Sequence, residues 1–472
     1  MIKLKTLAVA VAIATTSACS LMPEYLRPQA PVPAAFPNTD AKAASSATQL
    51  SDIPWQDYFA DAQLREVIGL ALSNNRDLRV AALNIEKARA LYRVQRADLF
   101  PRVGITGTET AQRLPGDLTA SGNATTTHQY SATIGFSAYE LDFFGRIRSL
   151  NAQALEQYLG TEEAKRSAQI SLVAEIANAW LTLAADKERL ALARSTLETR
   201  QKSYELIRRT FEVGVGSALD VRQAETLMEG SRADVARYTA QEAKDVNALA
   251  LIAGTSVSAD LLPASLSDTV SAITEVPAGV PSEVLTRRPD VLQAERALRA
   301  ANANIGAARA AFFPSITLTT GVGIASDSLG GLFSGGGGTW SFIPQIKLPI
   351  FEAGRLSANL EATKVQREIN VAQYEKSIQT AFREVADAFA EKSTLTERLD
   401  ARRKLVDATK ASFTLSEARY KGGIDSYLGL LDSQRALYLA ELDLIDIRLI
   451  ESANRVALYK VLGGGWYSAD KK

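Results

Sequence analysis

At 472 residues the chain is long enough for about two to four ordinary domains, and its 53 Lys+Arg exactly offset 53 Asp+Glu. With no basic surplus to neutralise phosphates, nucleic acid is not an expected partner. His128 and Cys19 are the only residues of their kinds, which argues against soft-ligand metal sites and haem and rules out an intrachain disulfide.

In chain order, Lys3 and Lys5 precede an apolar run from Leu7 to Ile13, followed by Thr16-Ser17-Ala18-Cys19. This is the layout of a cleaved secretory signal, expected over 1–18 and too short to span a bilayer. Small residues directly before the lone cysteine resemble a bacterial lipobox, although Thr16 departs from its usual leucine. The likeness implies covalent N-acyl and S-diacylglycerol lipid on Cys19, and no other cofactor is expected. An ordinary signal with a spare cysteine is the alternative. Ser20, where an aspartate would retain such a lipoprotein, resembles a pass to the outer membrane. Proline and alanine crowd Pro23 to Pro37, so 19–60 is expected as an extended, lipidated arm.

The rest of the chain is a duplication. Asn75-Arg76-Asp77-Leu78 through Leu99-Phe100-Pro101 aligns with Arg288-Pro289-Asp290-Val291 through Phe312-Phe313-Pro314, an offset of 213 (314 − 101). From Gly145 and Gly354 onward the offset is 209 (354 − 145), pairing Phe211 with Tyr420, Ser217 with Ser426 and Gly254 with Gly463. Repeat 1 is expected over 61–254, a linker over 255–281, repeat 2 over 282–463 and a tail over 464–472. Each repeat opens with a helix and then alternates with period two: Tyr130, Ala132, Ile134, Phe136 and Ala138 against Ser131, Thr133, Gly135 and Ser137. Ile316, Leu318, Val322 and Ile324, then Trp340, Phe342, Ile346 and Leu348, do the same in the second copy. Hairpins over 101–141 and 314–351 with one apolar and one small polar face fit transmembrane barrel strands, and a soluble half-buried hairpin gives the same alternation.

After each hairpin the period changes. No proline occurs from Gly145 to Phe211, and a helix of roughly 65 residues would span about 100 Å. Leu190, Leu197, Tyr204 and Phe211 recur every seven residues, as do Leu399, Val406, Phe413 and Tyr420, which marks coiled-coil seams. Tip turns are expected over 211–220 and 420–428, with return helices from about Leu219 and Leu428. Gly214 and Gly423 permit the backbone reversal, while Ser217 and Ser426 are placed to cap the return helices. A purely structural turn accounts for these residues as well as a docking role does. Four strands cannot close a barrel, so several copies must share one.

Hairpin, long helix, G-x-x-S-x-L turn and return helix, all duplicated, resemble the outer membrane factor (TolC) family of Gram-negative bacteria. The opening Cys19-Ser20-Leu21-Met22-Pro23-Glu24-Tyr25 and closing Leu458-Tyr459-Lys460-Val461-Leu462-Gly463-Gly464-Gly465-Trp466 resemble its OprM-like (NodT-type) efflux lipoproteins. The resemblance implies a mainly α fold with a membrane β-barrel. It implies a homotrimer whose twelve strands form that barrel and whose helices form a periplasmic tunnel. The partners implied are outer-membrane lipid, a periplasmic adaptor (membrane fusion protein) and an inner-membrane pump. Adaptors would engage Gly214, Ser217, Leu219, Gly423 and Ser426. Asp432 matches an inward aspartate that would form a cation-attracting, acid-sensitive ring of three, although its repeat partner is Gln223. Tyr420 and Asp220 match a pair that hydrogen-bonds neighbouring helices shut, Leu428 matches an apolar constriction, and Asp425 replaces a family arginine.

The chain shows no phosphate loop, G-x-S-x-G, H-E-x-x-H or dinucleotide fingerprint. It is not expected to be an enzyme. The reading is a passive conduit for drugs or other small toxic compounds within a tripartite (RND-type) pump. Protein secretion (type I) and metal or solvent export by the same fold remain alternatives, with a stand-alone porin further off.

Overall fold

The structure, a computed structural model, describes residues 20–36, 53–120, 122–266 and 282–464. The signal peptide, the Cys19 lipidation site, and most of the expected linker and tail lie outside the described residues. The elements are α1 (Trp55–Tyr58), α2 (Ala62–Asn74), α3 (Arg76–Ala97), β1 (Gly104–Leu114), β2 (Thr125–Leu141), α4 (Arg146–Glu212) and α5 (Ala218–Ala253). They continue with α6 (Pro289–Ala310), β3 (Ser315–Ser326), β4 (Gly338–Lys347), α7 (Arg355–Lys421) and α8 (Tyr427–Val461). The fold is mainly helical and internally duplicated, with one four-stranded antiparallel sheet in the order β1-β2-β3-β4. The long helices α4 and α7 have 67 residues each, as the offset of 209 requires of equivalent elements.

Two compact units form. The first comprises residues 1–29, 84–162 and 293–375 and holds the sheet. Here the extended chain from Leu21 to Arg27 lies along α6. Arg309 Nη1 donates to the Leu21 carbonyl at 3.3 Å and Asn302 Nδ2 to that of Pro23 at 2.8 Å. Tyr25 Oη donates to Glu295, which also holds ion pairs with Arg27 and Arg299. Gly306 admits the strand: a Cβ there would lie 2.8 Å from Met22 Cα.

The second unit comprises residues 30–83, 163–292 and 376–472. The stretch expected to be an extended arm departs from that reading at its end. Trp55–Tyr58 forms a helical turn, and Tyr58 and Phe59 are fully buried against Tyr459, the Tyr58 and Tyr459 ring centroids lying 4.5 Å apart. An aromatic cluster of this size gains more by packing than by remaining in solvent. The predicted seams are partly buried. Leu190 packs with Ala193 and Tyr238, and Leu399 packs with Leu395 and Ile447.

The duplication extends to individual hydrogen bonds. Asn75 caps α3 through Oδ1, accepting from Leu78 N at 2.8 Å, and its Nδ2 donates to the Ile252 carbonyl at 2.8 Å. Arg288, the residue at the offset of 213 (288 − 75), donates from Nη1 to the Val461 carbonyl at 2.9 Å. Val461 is the equivalent of Ile252 at the offset of 209 (461 − 252). Different side chains thus satisfy the same carbonyl near the end of each return helix, just before the left-handed Gly254 and Gly463.

Candidate functional site: an exposed sheet face and two helical turns

Strand register gathers most of the large apolar residues on one face of the sheet, Ile343 opposite Thr319 being an exception. Ile105, Ile134, Val322 and Trp340 form a single row across all four strands, and are 80%, 48%, 59% and 80% exposed. Phe342 lies opposite Thr320, and Ile346 lies opposite Ile316, on the same side. The other face carries rows such as Thr106, Thr133, Gly323 and Thr339. An apolar face this exposed in one chain matches a lipid-facing surface, and the small polar face matches a lumen. β1 and β4 are edge strands. Open edges are not tolerated in hydrocarbon, so a sheet of this kind in a membrane needs further strands against β1 and β4.

One alternation is corrected. Phe136 pairs with Thr320 and Tyr139 with Leu318, so Ser137 and Ala138 share the single partner position at Thr319. This β-bulge shifts the parity, and Tyr139 rather than Ala138 continues the apolar face. Ala138 takes φ +52°, and its N–H donates to Thr319 Oγ1 at 3.0 Å.

In the second unit, each long helix ends in the same backbone motif. Gly214 (φ +81°) donates to the Phe211 carbonyl at 2.9 Å, while Val215 donates to that of Thr210 at 3.0 Å. Gly423 (φ +70°) donates to Tyr420 and Ile424 to Arg419, both at 2.9 Å. These are Schellman turns, which consume the last free carbonyls and need a left-handed residue. Ser217 then caps α5, Oγ accepting from Leu219 N at 3.1 Å. Ser426 occupies the equivalent position before α8, but its side chain makes no cap hydrogen bond, which corrects the expectation of two alike caps.

The turns differ in charge as well. Arg419 grips Asp425 through Nε at 2.6 Å and Nη2 at 2.8 Å, and these bonds hold the Asp425 carboxyl below the usual carboxylate range. Thus Asp425, expected to stand in place of an arginine, is bound by an arginine of its own long helix. The equivalent positions in repeat 1 are Thr210 and Gly216, where no such pair is possible.

Beneath the turns Ile207, Ala224, Leu227, Tyr427, Leu430 and Leu431 form one buried cluster, with Phe413 and Tyr420 against it. All four long and return helices contribute to it. Above it stand exposed apolar side chains: Leu219 and Leu428, with Val215 at 83% and Ile424 at 67%. Tyr420 is near enough to Asp220 that burial, and then this carboxylate, raises its phenol pKa. Among the described residues no hydrogen bond joins the two, so the expected pair is not made within one chain. Asp432 is exposed on α8, with no hydrogen bond or ion pair among the described residues.

Sequence reasoning passed over Arg200, which lies three residues beyond seam position Leu197 and is buried between the repeats. Its signal was available: an arginine stands in register with Ala193 and Ile207, both fully buried seven residues to either side.

Duplicated membrane-type hairpins, each followed by a long helix, a glycine turn and a return helix, define a class of outer-membrane channel subunits. The sequence model of the outer membrane efflux protein family matches residues 67–255 and 280–464, one match per repeat, and the chain belongs to that family. It is 52% identical over 466 residues to the toluene efflux pump outer membrane protein TtgC of Pseudomonas putida, covering 98% of this chain and 96% of TtgC. The antibiotic efflux pump outer membrane protein ArpC of Pseudomonas putida is also 52% identical, with the same coverage. The open state of the Neisseria gonorrhoeae MtrE outer membrane channel matches with a TM-score of 0.86 and 37% identity, covering 96% of this chain and 100% of that one. The family is one of channels in the outer membrane, and the OprM-like resemblance read from the two ends of the chain is borne out.

Proposed function

We propose that this chain is one of three identical subunits forming the outer-membrane channel of a tripartite efflux system, a passive conduit for antibiotics, solvents and similar toxic compounds. The observation that carries this is the four-stranded sheet with one exposed apolar face and two open edges. Three copies supply twelve strands, enough to close a barrel. The relatives named for toluene and antibiotic export support the cargo class.

In this reading the two Schellman turns are the adaptor-docking ends, with Gly214 and Gly423 holding the reversal. Ser217, Leu219 and Ser426 lie at the contact. Leu428 narrows the bore, three Asp432 carboxylates line it, and Tyr420 and Asp220 pair between neighbouring helices as the aperture closes. Lipid on Cys19 anchors the arm in the outer membrane. The described arm supports this, since it leads from Arg27 back along α6 to Leu21 beside Arg309, one residue before α6 ends at Ala310.

The test is complementation in a Pseudomonas putida strain lacking its toluene efflux outer membrane protein. The chain should restore growth under toluene and under antibiotics. Correctly inserted protein that restores neither would overturn the cargo assignment. The mass of the mature protein should show acylation that Cys19→Ser removes; an unmodified Cys19 would refute the anchor.

A further inference from the structure

Arg200 is a buried charge without a counter-charge. Its residue is 7% exposed, and that burial arises within one chain, so no assembly can reverse it. Nη1 donates to the Leu227 carbonyl at 3.2 Å and to Ser231 Oγ at 2.7 Å. The guanidinium carbon sits 5.2 Å from the centroid of the Tyr438 ring. Nε is buried with no partner, and among the described residues no carboxylate forms an ion pair with this guanidinium. Asp234, a carboxylate that acts on it through space, is already taken by Tyr438 Oη at 3.1 Å and Arg237 Nη2 at 2.9 Å. Arg435 adds like charge nearby, and loss of hydration weakens the hold of Arg200 on its proton.

An arginine nonetheless stays ionised in proteins. Burying such a charge unpaired is costly, and water hydrates it without neutralising it. Beside Arg200 lies a cavity of about 170 Å³ whose walls include Ser195, Thr199, Gln434 and Glu441. Gln434 is 8% exposed, and its Oε1 is also unpartnered. Its Nε2 donates to Ser203 Oγ at a long 3.5 Å, and turning the amide over gives up that weak bond to present the NH₂ group in place of the unsatisfied oxygen.

We propose that this cavity binds a small monovalent anion, chloride under physiological conditions, which serves as the counter-ion of Arg200. The anion takes hydrogen bonds from the guanidinium and from the Gln434 amide. It thereby ties α4, which carries Arg200, to α5 at Leu227 and Ser231 and to α8 at Gln434 and Tyr438. Phe413 of α7 lines the same cavity, so one ion joins the helices of both repeats beneath the turns. Glu441 is the internal competitor: its carboxylate opposes the anion, and burial raises its pKa.

The experiment uses the full-length protein in detergent. Crystals grown in chloride and transferred to sodium bromide should show an anomalous peak within hydrogen-bonding distance of Arg200. No peak there, whether the cavity holds water or a neighbouring subunit's carboxylate, overturns the proposal. Thermal unfolding is compared in sodium chloride and sodium gluconate at equal ionic strength. The native chain should unfold several degrees higher in chloride, Arg200→Gln should lose that difference, and Glu441→Gln should enlarge it. An equal chloride response in the native chain and Arg200→Gln would also refute the site.

Discussion

Replacing Arg288 probes the contact that the two repeats share in altered form. Its side chain is 9% exposed and bonds Asp290 through Nε at 3.0 Å and Nη2 at 2.6 Å, Glu384 through Nη2 at 2.8 Å, and the Val461 carbonyl at 2.9 Å. Removing one member of a buried ion pair costs about 3–5 kcal/mol. Asp290 and Glu384 are 40% and 36% exposed, so both rehydrate, and the ionic share falls to about 2 kcal/mol. The orphaned Val461 carbonyl adds about 1 kcal/mol. Arg288→Met should therefore cost about 3 kcal/mol, near 100-fold in an opening equilibrium. Arg288→Asn installs the residue that repeat 1 uses on the equivalent carbonyl, so it should lose only the ionic share, near 30-fold. Native-state hydrogen exchange at the amides of Leu462, Gly463 and the first turn of α6 reads both. Equal acceleration in the two variants would refute the equivalence of Asn75 and Arg288, and no acceleration in Arg288→Met would refute the contact's weight.

The unequal caps give a second comparison: Ser217→Ala should cost about 1 kcal/mol and speed exchange at Leu219, whereas Ser426→Ala should leave the start of α8 unchanged. Asp245 is pushed up to about 6, first by burial and then by the hydrogen bond it shares with Asp186, against the opposing pull of Gln241 and Arg189. This folded value lies above the unfolded one, near 4, so stability falls as pH rises between the two and levels off above about 6. Asp245→Asn should therefore be more stable than the native chain at pH 7.5 and no different at pH 4 and below, by thermal unfolding. Asp432→Ala should raise single-channel conductance or lower cation preference in a planar bilayer, and an unchanged channel would remove Asp432 from the proposed gate.

Much of the architecture was legible because duplication prints the same periodicities twice. The offsets of 213 and 209 located paired hairpins, long helices and turns, and glycines at Gly214 and Gly423 marked the left-handed positions. What escaped was whatever the pattern does not encode. The bulge at Ser137 and Ala138 adds a residue without disturbing the alternation of residue types, so parity alone placed Ala138 on the wrong face. Asn75 and Arg288 share no chemistry on paper, and only geometry shows that they bond equivalent carbonyls. Asp186 and Asp245 are far apart in sequence and meet only through the packing of α4 against α5. Ser426 has the right residue type and backbone angles for a cap, yet its hydroxyl is not engaged.

Docking of an efflux adaptor at the two glycine turns, as proposed, is tested most directly by photo-crosslinking in living cells. A photoreactive residue at position 217 or 426, with captured proteins identified by mass spectrometry, should trap a periplasmic adaptor from both turns. Cross-links to further copies of this chain alone, from both positions in an active channel, would contradict the account.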